Sequence, residues 1–204
     1  MLRHAATACM ATAGVVAATA AAAAAWYRLA SPSQKHAALS RVCGFESAAV
    51  FTHDGHGNVL AFSKPDKPDV LEFPAGKVEL VDIQIGLLFW VYGLPKLRTA
   101  VALSTAMREY SEETGDGVMP LDLTYIAETG KNKTVTGQPV VWFALRVRAS
   151  AQLGPRAEFN KVTTLKGIDA TTHATFRKFD RVCLTAIQDD INRVVGVDTV
   201  TVPR

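Results

Sequence analysis

The sequence is poor in cysteine, and its few cysteines do not form a disulfide framework. Cys9, Cys43 and Cys183 lie far apart, form no CxxC pair and are odd in number. This spacing fits neither a zinc site nor a stapled secreted domain, so reduced thiols in an intracellular compartment are expected. The chain also lacks a GxxxxGK[ST] loop, a GxGxxG turn and a GxSxG elbow, the usual signatures of P-loop proteins, dinucleotide-binding domains and serine hydrolases.

Acidic residues are absent from the first 45 positions, which carry basic side chains and an alanine-rich run over 5–27. An acid-poor beginning with arginines is typical of a mitochondrial transit peptide, and about 20 apolar residues can also span a bilayer. Alanine and threonine contribute little free energy to membrane insertion, which weighs against a membrane span. A secretory signal or a disordered tail is the third interpretation. We expect 1–44 to be a targeting or anchor segment outside the fold, with a mitochondrial location or, alternatively, a membrane anchor.

The rest of the chain has the composition of one globular domain. The sequence is 49% hydrophobic and 20% charged with a net charge of +3, and we place the domain at 45–196 and a tail at 197–204. The mild positive charge is compatible with an anionic ligand but does not by itself indicate nucleic-acid binding.

Turn residues and apolar periodicity predict strands, a helix, further strands and a second helix. A β-hairpin is predicted over 46–64, around the turn HDGHGN, and a helix over 99–114 that ends at Gly115. The later elements predicted are strands at 121–129 and 139–149 and a helix within 170–195. This order predicts an α/β (α+β) sandwich, with a mixed β-sheet flanked by helices, rather than a doubly wound parallel fold.

Three glutamates share one face of the predicted helix at 99–114. Glu109, Glu112 and Glu113 stand at i, i+3 and i+4. Like charges at this spacing weaken an isolated helix by roughly 0.2–0.5 kcal/mol per pair. Each glutamate alone could be a solvated surface residue, but together they offer the oxygen ligands that Mg²⁺ prefers.

Together with Gly76, this stretch resembles the box of the Nudix hydrolases, G-x5-E-x7-R-E-U-x-E-E-x-G-U, in which U is a bulky apolar residue. Gly76 matches the opening glycine, and 108–115 match R-E-U-x-E-E-x-G without a gap. The resemblance covers about 46–195. It implies a Nudix-like sandwich and a metal-dependent pyrophosphohydrolase. Such an enzyme cleaves the P–O–P bond of a nucleoside diphosphate linked to another moiety, as in a nucleotide, a dinucleoside polyphosphate or an RNA 5′ end.

The resemblance also implies roles for individual residues. Mg²⁺ or Mn²⁺ would be held by carboxylates of the helix and by a backbone carbonyl, and an arginine would position the carboxylates. A further acid after the last long strand is a candidate base. The implied metal ligands are Glu109, Glu112, Glu113 and Gly76, and the implied catalytic residues are Glu109, Arg108 and Glu158.

The box departs from the family pattern in its spacing. The distance from Gly76 to Arg108 is 18 residues longer than the pattern allows, and we place the insertion at 81–98. Counting back from Arg108 then puts Ala100 where the family has its first glutamate, so that carboxylate is expected to be absent and turnover is in doubt. The apolar stretch 85–94 is too short to span a bilayer and could contact a protein partner, a membrane surface or a ligand, or it could pack on its own domain.

The same departures motivate a second hypothesis. The domain could be a weakly active or inactive Nudix-fold binding subunit of a mitochondrial RNA or ribonucleoprotein complex. An uncleaved 5–27 would instead give a membrane-associated enzyme. The expected small partner is a nucleotide or an RNA 5′-phosphate substrate.

Overall fold

The computed structural model describes residues 21–94, 96–130, 134–148, 152–166 and 176–195. The chain divides into two compact units, Met1–Ala38 and Leu39–Arg204. Residues 21–29 of the first unit are helical, and helix α1 (Pro32–Cys43) crosses the boundary between the units. Among the described residues, no helix is long and apolar enough to cross a membrane. Most of the run 5–27 and the predicted tail 197–204 lie outside the described residues.

A seven-stranded mixed sheet forms the centre of the second unit. The strands are β1 (Ser47–His53), β2 (Asn58–Lys64), β3 (Lys67–Glu72), β4 (Ala75–Lys77), β5 (Leu123–Thr129), β6 (Val140–Arg146) and β7 (Lys161–Lys166). Five of them lie in the order β3-β2-β1-β6-β5, the short strand β4 pairs with the first half of β1, and β7 pairs with β2. Central strands β1 and β6 are parallel, whereas the other strand pairs are antiparallel.

Helices cover both faces of this sheet, which confirms the predicted fold class. The helices are α2 (Leu80–Val91), α3 (Leu97–Thr114), α4 (Lys178–Ala186) and α5 (Gln188–Val195). The two cores follow the alternation of β6: Trp142 packs with residues of α4 and α5, while its neighbour Phe143 packs with residues of α3. Strands buried on both faces read as continuous apolar runs, as "VVWFAL" does in β6.

Most predicted elements are present, and the differences have local causes. The hairpin at 46–64 is confirmed as β1 and β2, and the helix at 99–114 as α3. The C-terminal helix is interrupted at Ile187, between α4 and α5, and its predicted beginning lies within 167–175, outside the described residues. Strand β7 was not predicted because its sequence, KVTTLK, is short and polar, and only its pairing with β2 makes it a strand.

The N-terminal boundary of the fold lies earlier than predicted. Cys43 is buried in the core on the α3 side of the sheet, and Leu39 packs against that core. The end of the expected extension, at 44, is therefore too late, and the compact unit begins at Leu39.

The predicted insertion 81–98 contributes a helix, α2, that packs closely on α3. A Cβ atom built on Gly86 would lie 2.7 Å from the Cα atom of Val101. The two helices therefore touch backbone to backbone at this crossing, which only a glycine permits. The insertion is part of the fold and not a loose loop.

We expect Gly86→Ala to destabilise the protein by about 1–3 kcal/mol, because the added methyl group must push α2 away from α3. Alanine has a more favourable intrinsic helix propensity than glycine by about 1 kcal/mol, so a loss of stability would have to come from the contact between the two helices. Urea unfolding measures the change. Gly117→Ala is the matched control, because a Cβ there meets no atom within 4 Å. Equal unfolding midpoints for the two variants would contradict the close crossing.

Candidate active site

The carboxylate-bearing residues lie in the last two turns of α3, where the helix end is held in place by a neighbouring segment. The helix ends at Gly115, whose φ of 71° is left-handed. The Gly154 N–H donates to the Thr114 carbonyl at 2.8 Å, and the Phe159 N–H donates to the Glu113 carbonyl at 2.9 Å. These bonds satisfy carbonyls that a helix C-terminus leaves unpaired, so they fix the position of the carboxylates.

Arg108 is the centre of an ionic network. Its Nε and Nη2 atoms donate to the two carboxylate oxygens of Asp82 at 2.9 and 3.0 Å. Its Nη1 atom lies 2.9 Å from Glu112 Oε2 and 2.7 Å from Glu109 Oε1. Nη2 also donates to the Lys77 carbonyl at 2.8 Å. Arg108 therefore joins β4, α2 and α3, as its predicted positioning role requires, and its nitrogens point at protein acceptors.

Asp82 corrects the prediction that the box lacks its first carboxylate. Its side chain is fully buried, and it also accepts a hydrogen bond from the Glu79 N–H at 2.8 Å. Ala100, the position given by counting back from Arg108, is a buried core residue of α3. Counting forward from Gly76 instead satisfies G-x5-E with aspartate at Asp82. Counting forward from Gly76 could have identified Asp82 from the sequence, and this count places the extra residues between Asp82 and Arg108.

Gly76 and Glu109 are in direct contact. A Cβ atom built on Gly76 would lie only 1.9 Å from the Glu109 carboxyl carbon, so a side chain at this position is excluded while Glu109 stays in place. Burial raises the pKa of Glu109 to about 7; the charges of Glu113 and Glu112 act in the same direction, and Arg108 opposes them. The close backbone approach predicted for Gly76 is present, whereas a metal bond from its carbonyl stays a prediction.

Glu113 is held on the other side of the cluster by Lys64, a residue that the sequence did not mark. The Ala75 N–H donates to Glu113 Oε2 at 2.9 Å, and Lys64 Nζ lies 2.7 Å from Glu113 Oε1. Lys64 Nζ also lies 3.3 Å from Glu158 Oε2, so Glu158 joins the cluster through this lysine. Burial raises the pKa of Glu113, while the bond to Lys64 opposes the shift. Glu158 itself is exposed, and its role as a base stays a prediction.

The residue types fit a hard divalent cation, although the side chains are now paired with protein cations. Oxygen ligands on one helix face, beside a glycine that leaves room for Glu109, are the donor set that Mg²⁺ or Mn²⁺ uses. In the described part of the chain, no three His, Cys, Asp or Glu groups converge closely enough to form a metal site. Arg108 engages Glu109 and Glu112, and Lys64 engages Glu113.

A cavity of about 340 Å³ adjoins the box at Gly76. Its lining combines the buried Trp142 with charged groups from the opposite side of the sheet, including Glu46, Arg177 and Asp180. Arg177 is ion-paired with Asp180 at 2.9 Å and with Glu72 at 3.1 Å. The cavity is large enough for a ring-sized group and has polar groups that could orient it.

Comparisons with known proteins gave matches among solved structures. No protein-family model and no curated protein sequence matches the chain. Among solved structures, the dihydroneopterin triphosphate pyrophosphohydrolase of E. coli is 20% identical, with 76% of this chain and 99% of that chain covered and a TM-score of 0.45. A Nudix hydrolase from Alicyclobacillus acidocaldarius is 13% identical, with coverages of 72% and 91% and a TM-score of 0.49.

A third solved structure, the E. coli ORF135 protein, is 18% identical, with coverages of 75% and 94% and a TM-score of 0.46. The chain has a Nudix-like fold, because its mixed sheet lies between helices and its box halves meet where Gly76 contacts Glu109 and the Lys77 carbonyl accepts a hydrogen bond from Arg108.

We expect Asp82→Ala to cost about 2–4 kcal/mol of folding free energy, because it removes the buried partner of a charged guanidinium. Urea unfolding measures the loss, and adding Arg108→Met to the same variant should recover part of it. Asp66→Ala is the control, since that exposed carboxylate lies 3.9 Å from Lys67 Nζ and such surface pairs contribute little. A loss no larger than that of the control would contradict the central role of Asp82.

We expect Glu109→Gln to stabilise the metal-free protein at high pH. Because burial raises the folded-state pKa of Glu109 from 4.5 to about 7, the native fold loses stability as the pH rises through this window. The glutamine variant lacks this loss, so it should be about 1–3 kcal/mol more stable than native protein above pH 7 and similar below pH 4.5. Urea unfolding in EDTA across this pH range tests the difference, with Glu128→Gln as control. A pH-independent difference would contradict the assignment.

Proposed function

We propose that the chain is a divalent-metal-dependent hydrolase of the Nudix type that cleaves the P–O–P bond of a nucleoside diphosphate linked to another moiety. One observation carries the proposal: the carboxylates at the end of α3 meet the Gly76 corner in a network held by Arg108 and the buried Asp82. If the glutamates only formed a solvated acidic surface, neither the close contact of Gly76 with Glu109 nor the buried Asp82 that pairs with Arg108 would be required.

The residues divide the work by their exposure and pairing. Glu112 is half exposed and can reach a ligand, whereas Glu109 and Glu113 are largely buried beside it. The guanidinium nitrogens of Arg108 bind carboxylates and a backbone carbonyl, so Arg108 positions the metal ligands and does not contact the substrate. When bound, Mg²⁺ or Mn²⁺ would neutralise charge on the diphosphate and lower the pKa of a bound water.

Glu158 is the proposed base. Its carboxylate is exposed and joins the cluster through Lys64, which also pairs with Glu113. A shared lysine holds the two carboxylates near each other and offsets their repulsion, so Glu158 can stay close to the site while remaining open to solvent.

The cavity beside Gly76 supports a nucleotide or an RNA 5′ end as the substrate class. It is lined by Gly76, which contacts Glu109, so a diphosphate at the box could extend its attached group towards Trp142 and the charged lining. A flat ring against an indole with polar groups at its edge is a favourable arrangement.

The alternative, a weakly active or inactive subunit of a mitochondrial RNA or ribonucleoprotein complex, depended on the missing carboxylate at Ala100, the apolar insertion and the basic net charge. The Asp82 carboxylate, which lies against Arg108, weakens the first of these grounds and favours the hydrolase. The acid-free N-terminus supports a mitochondrial location as part of the proposal, with a membrane-associated enzyme as the variant in which 5–27 is retained.

Substitution of the box glutamates tests the proposal. We expect the native chain with Mg²⁺ or Mn²⁺ to hydrolyse a member of a panel of nucleotides, dinucleoside polyphosphates and capped or triphosphorylated RNAs. Glu112→Gln and Glu113→Gln should each lower kcat/KM about 100-fold or more, because a bound metal contributes several kcal/mol to charge stabilisation.

Glu128→Gln is the matched control for these variants, because Glu128 pairs with Arg98 away from the box. It should keep native activity, and calorimetry should show metal binding that the two box variants weaken. A native chain that binds no metal and hydrolyses nothing in the panel would overturn the proposal.

A further inference from the structure

One face of helix α2 packs against the rest of the domain, and the opposite face is exposed to solvent. Asp82 and Gly86 are buried towards α3, and the helix crosses α3 at Gly86. The outward side chains recur at helical spacing and most are aliphatic, although the exposed Gln84 lies among them, and two aromatic residues follow at the end of the helix. The exposed apolar residues of this outer face are Leu80, Val81, Leu87, Leu88, Trp90, Val91 and Tyr92.

The exposure of this outer face is large for a soluble domain. Leu88 is 57% exposed, Val91 72% and Tyr92 87%. Contiguous apolar surface of this kind marks a site of interaction, whereas single exposed apolar residues, such as Leu121 at 95%, are ordinary. Helices α2 and α3 also line a groove of about 250 Å³, whose lining combines the apolar Ile85 and Phe89 with polar groups that include Arg108.

The sequence of α2 and of the segment that follows it carries charge of one sign at the aromatic end. No acidic residue occurs between Ile83 and Arg98, and the exposed Lys96 follows Trp90 and Tyr92. The acidic residues of α2 and its cap are confined to the opposite end of the helix, at Glu79 and the buried Asp82.

We propose that the outer face of α2 docks on an anionic lipid bilayer. Aliphatic side chains that enter the acyl boundary, tryptophan and tyrosine at headgroup level, and a basic residue beside them are the chemistry of an interfacial helix. The first 45 residues of the chain are apolar and basic with no acid, so they complement the same anionic surface.

This proposal does not depend on the proposed hydrolase activity. Asp82, which holds Arg108, lies on the buried side of α2, so docking through the outer face leaves the box intact. Substitutions on the outer face can therefore be separated from substitutions in the site.

Vesicle flotation with the full-length chain tests the proposal. Vesicles of phosphatidylcholine with one part in three of phosphatidylglycerol are compared with vesicles of phosphatidylcholine alone. The native chain should float with the anionic vesicles, and the double variant Leu88→Glu/Tyr92→Glu should bind at least about tenfold more weakly, since burying one aliphatic side chain has an effect of that size. The matched control is Met119→Glu/Leu121→Glu, which changes two equally exposed apolar residues elsewhere and should bind like the native chain.

Tryptophan fluorescence gives an independent readout of the same event. The chain has three tryptophans, and Trp142 is buried in the core. In a Trp26→Phe background, Trp90 is the exposed reporter, and its emission should shift to shorter wavelength with anionic vesicles. The shift should be absent in the variant that also carries Leu88→Glu/Tyr92→Glu, while far-ultraviolet circular dichroism shows that this variant is folded.

Three outcomes would overturn the proposal. The native chain does not float with anionic vesicles; or the outer-face variant floats as well as native protein, in which case the N-terminal segment is responsible. In the third outcome, the native chain is a dimer without lipid and the outer-face variant is a monomer, which assigns the face to a second copy of the chain.

Discussion

The buried ion pair between Arg108 and Asp82 is the interaction on which the rest of the site depends. It joins the long carboxylate helix α3 to α2, and through the Lys77 carbonyl it joins both helices to strand β4. A charge that is withdrawn from water must be paired, so losing either partner leaves the other uncompensated. The pair therefore fixes the Gly76 corner against α3, and with it the position of Glu109.

Charge balance explains the remaining contacts of the site. Carboxylates crowded at one helix end repel each other, and burial adds to the cost of their ionised forms. Arg108 offsets this cost for Glu109 and Glu112, and Lys64 offsets it for Glu113. Burial raises the pKa of Glu109; the charges of Glu113 and Glu112 act in the same direction, and Arg108 opposes them. A divalent ion, as proposed, would add a further positive charge to this cluster.

Local patterns could be predicted because they depend on neighbours in sequence. The helical spacing of the glutamates, the hairpin turn and the opposite faces of Trp142 and Phe143 all follow from periodicity. The first box carboxylate was assigned wrongly because an insertion of unknown position can be counted from either end. Ala100 satisfied the backward count but lies in the core, whereas Asp82 satisfied the forward count and lies against Arg108.

The sequence by itself determined Gly76 and the run 108–115 as parts of the box, most of the strand and helix order, and the apolar character of the insertion. Only the tertiary structure decided which groups meet: Asp82 with Arg108 across 26 positions, and Lys64 with Glu158 across 94. The tertiary structure also decided which face of α2 is exposed to solvent, because the close crossing with α3 at Gly86 buries the opposite face. Contacts between distant positions depend on how the whole sheet and its helices pack, and no local pattern encodes that packing.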